Sequence, residues 1–312
     1  MKAASVVIPA HNAAKTIATT LASLAGEAEV IGEVLLVDDA STDNTADVAR
    51  QAAAQLTLPL RVLPAGCRDA GGARNVALAQ ALQPWVYLID ADDLHLQGGL
   101  RALLRQAEAQ PNVDMIVGAY RRRVNGQDRQ IKVPNGYQAE CLANASAYVK
   151  GDIRSVAVGS VLASRQLIGE TRFPVGLAYD EDTLFWARLM SKASLAMIQQ
   201  PVMVYEVSPM RSDDRFTITP VKRFLEWRRE LRTLIDCGIP ISALKTREGL
   251  VALKIARVHY ARGNLEMAAR FLAVAAAAPK RKSDAWRCVR YKVKIWSRRR
   301  FSAQGVYLQD AL

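Results

Sequence analysis

The stretch Trp85–Asp93, WVYLIDADD, joins a run of largely apolar residues to three carboxylates. Such a run, bounded by polar residues, predicts a buried β-strand. Helical patterns such as Ile17, Leu21 and Leu24 alternate with further short strands, and the pattern predicts helices near 73–82 and 99–110. The predicted strands are SVVI (5–8), VLLV (34–37), LRVL (60–63) and 115–118. This alternation predicts an α/β fold with a mainly parallel sheet flanked by helices.

Acidic residues directly follow two of these strands. Asp38 and Asp39 end the second strand, and Asp90, Asp92 and Asp93 end the fourth. In parallel sheets, ligands bind beyond the carboxyl ends of the strands, where gathered carboxylates repel one another unless a cation compensates them. An Asp-x-Asp pair offers the oxygen ligands that Mg²⁺ and Mn²⁺ prefer. The pattern predicts a site for a metal and a diphosphate, although such residues also form turns and caps.

Five segments occur in a fixed order along the first two-thirds of the chain: VVIPAHNA (6–13), VLLVDDASTDNT (34–45), GGARNVAL (71–78), YLIDADD (87–93) and YDEDTLFWARL (179–189). In this order and at these intervals they resemble family-two glycosyltransferases of the GT-A fold, over about residues 3–206. The resemblance implies an enzyme that transfers one sugar from a UDP-sugar to an acceptor hydroxyl. It also implies inversion of the anomeric centre in a single displacement, without a covalent nucleophile.

The resemblance further implies roles for individual residues. Pro9, Ala10 and Asn12 would border the nucleotide, and Arg74 would lie near it. Asp39 would accept a hydrogen bond from the uracil N–H, and Asp38 would support the turn that carries Asp39. Asp90 would face the ribose or the metal, Asp92 would bind Mn²⁺ or Mg²⁺, and Asp182 would be the general base. The residue types suit this chemistry, because a metal stabilises a leaving diphosphate and a carboxylate can take the acceptor's proton. Alternatively, Glu181 and Asp182 only cap a helix.

The sequence departs from the family pattern after Tyr205. Many members carry an Arg and then a His there, where this chain has Glu206 and Ser208. Arg211 or Arg215 would then supply positive charge to a loop over the diphosphate. The Q-x-x-R-W segment of processive members is also absent, which favours a single transfer over polymer synthesis.

The C-terminal part differs sharply in charge. Residues 1–216 hold 21 Lys and Arg against 23 Asp and Glu, whereas residues 217–312 hold 21 against 7. We therefore predict a GT-A catalytic domain over 1–216 and a basic, mainly helical region over 217–312. Its helices are predicted at 221–235, 241–261 and 265–278.

Ten Lys and Arg lie between Lys280 and Arg300, and Trp286, Val289, Val293 and Trp296 share one helical face, although part of this segment also alternates as a strand would. Basic residues with interspersed Trp suit an anionic membrane surface, whereas a solvated face packed on the domain is the alternative. The membrane reading places the protein peripherally at the inner face of the cytoplasmic membrane. Its acceptor would be a lipid-linked saccharide, a lipopolysaccharide core or another surface glycan.

Several other classes are disfavoured by the sequence. The four cysteines are far apart without a C-x-x-C pair, the N-terminus turns polar too soon for a signal peptide, and no apolar run would span a bilayer. These features indicate a cytoplasmic protein. Two alternatives to the glycosyltransferase stay open: a nucleotidyltransferase of similar fold, and a basic nucleic-acid-binding protein. The acidic strand ends make nucleic acid an unlikely partner, because they would repel its phosphates.

Overall fold

The computed structural model describes residues 4–207, 214–279 and 281–309, with side chains through residue 298. The chain divides into two compact units. The first comprises Met1–Tyr148 and Asp152–Arg211, and the second comprises Val149–Gly151 and Ser212–Leu312.

The first unit is built on one sheet, which has nine strands among the described residues. The strands are β1 (Ala4–Ala10), β2 (Ile31–Asp39), β3 (Leu60–Ala65), β4 (Trp85–Leu88), β5 (Leu94–His95), β6 (Met115–Val124), β7 (Gln127–Lys132), β8 (Val161–Ser164) and β9 (Leu195–Val207). Their order is β3-β2-β1-β4-β8-β6-β9-β5, with β7 paired to β6. The helices of this unit are α1 (Ile17–Leu24), α2 (Thr45–Gln55), α3 (Ala70–Leu78), α4 (Gly99–Ala109), α5 (Cys141–Val149), α6 (Arg165–Ile168) and α7 (Glu181–Met190). The predicted α/β class is therefore confirmed.

The direction of the strands decides where a ligand site can form. Strands β1 to β4 pair in parallel, and β8 is antiparallel to both β4 and β6. Since β4 and β6 are both antiparallel to β8, β6 runs in the same direction as β4. Strand β9 is parallel to β6, so it also runs in the direction of β1 to β4. The carboxyl ends of these strands therefore face the same edge of the sheet, as the sequence analysis expected for the ligand site.

Several boundaries differ from the sequence prediction, and two of the differences have a clear local cause. Helix α3 begins at Ala70, three residues before the predicted start, because Asp69 caps it by accepting a hydrogen bond from the Gly72 N–H at 2.7 Å. Strand β6 continues to Val124 and forms a hairpin with β7 through Asn125 and Gly126, both of which have positive φ. An Asn-Gly pair favours this kind of turn, but the flanking segments lack the apolar alternation that would have predicted strands.

Helix α1 holds the segment that carries the acidic residues after β4. The Thr20 hydroxyl lies within hydrogen-bond distance of two carbonyls, 2.9 Å from that of Ala91 and 3.0 Å from that of Asp93. The Ser23 hydroxyl accepts from the His95 N–H at 3.0 Å. One face of α1 therefore fixes the backbone on which Asp90 and Asp92 lie.

A buried carboxylate, that of Glu27, also holds the chain that follows β4. Glu27, in the short turn after α1, has a fully buried side chain that accepts from the backbone N–H of Gly98 and from Arg101 Nε at 3.2 Å. The His95 ring lies 3.6 Å away. Burial alone would raise the pKa of Glu27, but hydrogen bonds and positive charge from these partners outweigh burial and lower it.

The second unit is helical in its described part. It contains α8 (Asp214–Thr217), α9 (Pro220–Arg232), α10 (Ile241–Ala261), α11 (Leu265–Ala277) and α12 (Lys282–Gln309). Phe224, Trp227 and Phe271 are buried in its core. Of the two readings left open for the basic segment, the helix is correct. Among the described residues, no helix combines the length and the apolar character needed to cross a membrane.

We expect Glu27→Gln to lower the free energy of unfolding by about 2–3 kcal/mol at pH 7, because it leaves Arg101 without its buried carboxylate. Glu29→Gln is the matched control, since Glu29 also pairs with Arg101 but is 67% exposed. It should change stability by less than about 0.5 kcal/mol. Denaturant unfolding followed by circular dichroism measures both variants.

The difference between wild type and Glu27→Gln should also depend on pH. A carboxylate whose pKa is lowered by folding stabilises the protein above its unfolded pKa and loses that effect as the pH falls through the folded value. The two proteins should therefore approach equal stability in acid. Equal losses of unfolding free energy in the Glu27 and Glu29 variants would contradict the proposal that Glu27 holds the chain after β4.

Candidate functional site

A cavity of about 820 Å³ opens at the carboxyl ends of β1, β2 and β4. Seven of the nine residues singled out from the sequence lie on its wall: Pro9, Ala10, Asn12, Asp39, Arg74, Asp90 and Asp92. The other two, Asp38 and Asp182, lie outside the lining, and Glu181 takes a place on it. The fold thus brings most of the candidate residues to one place.

The loops after β1 and β2 are joined through Asn12. Its side-chain oxygen accepts from the Thr42 N–H at 2.8 Å and from the Thr42 hydroxyl at 3.1 Å. Its own N–H donates to the Ser41 hydroxyl at 3.0 Å. These bonds make one continuous wall from two loops that are thirty residues apart in sequence.

Asp39 is held by backbone donors on both of its carboxylate oxygens. One oxygen accepts from the Arg68 N–H at 2.9 Å and the other from the Asp69 N–H at 2.8 Å, and the residue is 4% exposed. Each oxygen keeps a further lone pair for a ligand donor. Asp38 instead accepts from the Ser41 N–H at 3.3 Å and so stabilises the turn that follows β2.

Three residues on the wall have a left-handed backbone although none is glycine. Asn12, Ala40 and Arg68 have φ values of 52°, 56° and 50°. Such conformations are costly for residues with a Cβ, and they concentrate at functional sites, where the surrounding structure enforces them. Sequence analysis could not have found Ala40 or Arg68, since neither residue type indicates this conformation.

Arg74 lies between the acidic residues of the cavity. Its side chain is 4% exposed and donates to Asp90 Oδ1 at 2.7 Å and to Glu181 Oε1 at 3.5 Å. The guanidinium carbon lies 5.1 Å from the ring centre of Phe173. A buried guanidinium is therefore compensated by carboxylates from the end of β4 and the start of α7.

Glu181 and Asp182 form the first turn of α7, as the sequence pattern predicted. Burial, and next the negative charge of Asp182, raise the pKa of Glu181 to about 7, while Arg74 opposes the shift. Asp182 accepts a hydrogen bond from the Thr183 N–H at 2.7 Å. Asp180, which precedes Glu181 and occupies the N-cap position of α7, has a φ of 71° and makes no side-chain capping hydrogen bond. The sequence analysis names Glu181 only in the helix-cap alternative, whereas the structure places it on the cavity wall.

Asp90 and Asp92 are the candidate ligands for a divalent metal. Asp90 is 22% exposed at its side chain, and Asp92 is an exposed residue of the cavity wall. Among the described residues, no group of three or more His, Cys, Asp or Glu is arranged to hold a metal. Mg²⁺, however, is commonly bound by one or two carboxylates together with substrate phosphates and water. The pair fits a metal completed by its substrate and does not fit an all-protein cage.

The segment after Tyr205 is described only in part. The Glu206 N–H donates to Asp93 Oδ1 at 2.9 Å, and its carboxylate accepts from Arg123 Nη1 at 3.0 Å. Ser208 and Arg211 lie outside the described residues. The guanidinium of Arg215 lies 4.9 Å from the ring centre of Phe216, within the second unit.

Comparison with known proteins identifies the family. The family model described as "Glycosyl transferase family 2" matches residues 5–161. The chain is 43% identical over 102 residues to succinoglycan biosynthesis protein ExoU of Rhizobium meliloti, covering 32% of this chain and 29% of that protein. It is 22% identical over 270 residues to glycosyltransferase GlyG of Streptococcus pneumoniae, covering 78% of this chain and 84% of that protein.

Solved structures with similar folds agree with this match. Residues 1–349 of S. aureus TarS, solved with UDP-GlcNAc, superimpose with a TM-score of 0.60 at 19% identity, covering 88% of this chain and 81% of that one. Glucosyl-3-phosphoglycerate synthase of Mycobacterium tuberculosis, solved with Mn²⁺, UDP and phosphoglyceric acid, gives a TM-score of 0.51 at 19% identity, covering 77% and 80%. With the family model spanning half of its length, the chain belongs to glycosyl transferase family 2 and is a glycosyltransferase of the GT-A fold.

Proposed function

We propose that the protein transfers a single sugar from a UDP-sugar to an acceptor hydroxyl, with inversion at the anomeric carbon. The observation that carries this proposal is that Asp39, Arg74, Asp90 and Asp92 line one cavity at the carboxyl ends of the strands. Two backbone N–H groups hold the Asp39 carboxylate in place there. The UDP-GlcNAc and UDP complexes of structurally similar proteins support the choice of donor.

In this proposal, the wall formed by the β1 and β2 loops binds the nucleotide. The remaining lone pairs of Asp39 accept from the uracil N–H, and Pro9, Ala10 and Asn12 border the base and ribose. Asp38 keeps its place in the turn that positions Asp39. A carboxylate fixed by two backbone donors needs little rearrangement when the ligand arrives, which favours affinity.

Asp92, together with Asp90, would hold Mn²⁺ or Mg²⁺. When bound, the ion neutralises the charge that develops on the leaving diphosphate. Arg74 orders Asp90 and adds positive charge beside the nucleotide. The enzyme would therefore be metal-dependent, with a site completed by the donor.

We assign the general base to Asp182 and a positioning role to Glu181. An acceptor hydroxyl needs a carboxylate to take its proton as the new bond forms. Glu181 faces Arg74, and a pKa of about 7 means that it ionises near neutral pH. Once ionised, it holds the guanidinium in place while Asp182 receives the proton from the acceptor.

The two acidic residues should be separable by kinetics. Asp182→Asn should keep its affinity for UDP but lower turnover by roughly 10²–10⁴-fold at every pH, because it removes the base. Because the pKa of Glu181 is about 7, we expect kcat/KM of the wild type to rise as the pH increases through that value. Glu181→Gln should lower turnover less than Asp182→Asn and should abolish this rise. Full turnover in Asp182→Asn would assign the base elsewhere.

The reaction itself is tested by its products. With Mn²⁺ and a panel of UDP-sugars but no acceptor, the enzyme should slowly transfer the sugar to water and release UDP. A nucleotidyltransferase would instead release pyrophosphate from UTP and a sugar 1-phosphate, and phosphorus NMR distinguishes pyrophosphate from UDP. Asp92→Asn should weaken Mn²⁺-dependent UDP binding at least tenfold in calorimetry. Asp47→Asn is the matched control, since Asp47 lies on α2 with a side chain 81% exposed. Unchanged affinity in the Asp92 variant would refute the metal assignment.

We also propose that residues 1–216 form the catalytic domain and that residues 217–312 attach it to the inner face of the cytoplasmic membrane. Among the side chains of α12 that the structure describes, through residue 298, four large apolar ones are exposed: Trp286, Val289, Val293 and Trp296, at 75%, 56%, 58% and 59%. Arg287, Arg290 and Lys292 are exposed beside them. An apolar stripe flanked by basic residues suits an anionic lipid surface. The acceptor would be a lipid-linked saccharide, a lipopolysaccharide core or another surface glycan.

Replacing both tryptophans, Trp286→Ala with Trp296→Ala, should reduce co-sedimentation with anionic vesicles at least fivefold, because it removes the largest apolar groups of the stripe. Added salt should weaken binding of the wild type by screening. Leu225→Ala with Ile235→Ala, which removes two exposed apolar side chains of the same unit outside α12, is the control. A wild type that ignores anionic vesicles but shifts an RNA or DNA probe would support the nucleic-acid alternative.

A further inference from the structure

A second cavity, of about 710 Å³, lies in the first unit apart from the donor cavity. Its wall is formed by β6, β7 and β9 and by the segment 152–155. No residue lines both cavities. The proposed donor site leaves this second cavity without a role.

The strand register places a basic cluster on this wall. Arg122 pairs with Tyr205 of β9, and Tyr120 pairs with Lys132 of β7. Because side chains alternate along a strand, Tyr120 and Arg122 point to the same face of the sheet. All four residues line the cavity, and Arg154 of the facing segment joins them.

The neighbours of Arg122 on β6 show how unusual its position is. Arg121 and Arg123 point to the opposite face, where both bind Asp128, at 2.9 Å and 2.7 Å, and Arg123 also binds Glu206. Within the described part of the chain, neither Arg122 nor Lys132 forms an ion pair. Two of three consecutive arginines are thus neutralised by carboxylates, while the one that faces the cavity is not.

The charge of the wall is therefore positive. Arg122, Lys132 and Arg154 stand against one carboxylate, that of Asp152. Burial raises the pKa of the Tyr120 hydroxyl, and the nearby positive charge of Arg122 partly opposes that shift. A concave surface with charge of one sign attracts ligands of the opposite sign, and a guanidinium can bind phosphate or carboxylate through two parallel hydrogen bonds.

The second cavity is connected to the acidic segment of the donor site. Residue Tyr205 precedes Glu206, whose N–H donates to Asp93, next to Asp92. Leu94 also pairs with Val204. Arg122 and Tyr205 lie near the carboxyl ends of β6 and β9, which end at the same edge of the sheet as β4, so the second cavity lies toward the edge where the donor cavity opens.

We propose that this cavity binds an anionic group, a phosphate or a carboxylate, carried by the acceptor saccharide. The inference rests on the proposed function, because it assigns the cavity to the second substrate of that reaction. Arg122 and Lys132 contribute the charge, and the edge-to-face pair of Tyr120 and Tyr205, with ring centres 6.3 Å apart, forms the adjoining wall. The enzyme would then select a charged acceptor over a neutral one.

The test measures binding of simple sugars to the full chain with UDP and Mn²⁺ present in excess, so that the donor cavity is filled. Glucose 1-phosphate, glucuronate and glucose serve as probes in NMR titrations. At least one charged sugar should bind tenfold or more tightly than glucose, and that preference should shrink as salt is added. The stronger of the two charged probes identifies phosphate or carboxylate as the group recognised.

Arg122→Ala and the more conservative Arg122→Gln should each weaken binding of the charged sugar at least tenfold. Arg121→Ala is the matched control, because it removes the same side chain from the adjacent position on the opposite face, and it should change affinity less than twofold. Equal binding of charged and neutral sugars, or equal losses in the Arg121 and Arg122 variants, would overturn the inference. UDP binding is measured first in the same samples, and its failure in the wild type would count against the proposed function instead.

Discussion

The donor cavity depends on one buried guanidinium, that of Arg74. Arg74 comes from the middle of α3 and lies between Asp90, just after β4, and Glu181, at the start of α7. Without its charge these carboxylates would repel one another in a poorly solvated place, and removing one partner of a buried ion pair typically costs about 3–5 kcal/mol. The same guanidinium therefore supports the fold and sets the electrostatics of the cavity. The raised pKa of Glu181 shows that burial and the charge of Asp182 exceed what Arg74 compensates.

The surroundings keep this arrangement rigid. Thr20, Ser23 and Glu27 bind the backbone after β4 from one side, and the Asn12 side chain joins the loops after β1 and β2 from the other. Asn12, Ala40 and Arg68 are held in left-handed conformations on the same wall. Fixed donors and acceptors around a polar cavity suit an enzyme that must stabilise charge on a leaving group, since they need little reorganisation during reaction.

Much of the fold and of this cavity could be predicted from the sequence, for identifiable reasons. Buried parallel strands are apolar throughout, so β1, β2 and β4 are visible as short runs, and the acidic residues that follow them mark the edge where ligands bind. The β6–β7 hairpin was missed because Arg121, Arg122 and Arg123 hide the alternation of its faces. Which of these arginines is neutralised depends on cross-strand register, which one sequence does not reveal. The place of Glu181 on the cavity wall depends on how α7 packs near α3. Like strand register, this is a tertiary feature that one sequence does not reveal.

The central claim is that the cavity at the ends of β1, β2 and β4 binds the nucleotide of the donor. Hydrogen–deuterium exchange of the full chain, with and without UDP and Mn²⁺, tests it most directly. The account predicts slower exchange of the backbone amides at residues 10–13, 39–42, 68–70 and 90–93, with no change along α12. Unchanged exchange in those four segments at saturating UDP, or protection confined to the second unit, would contradict it.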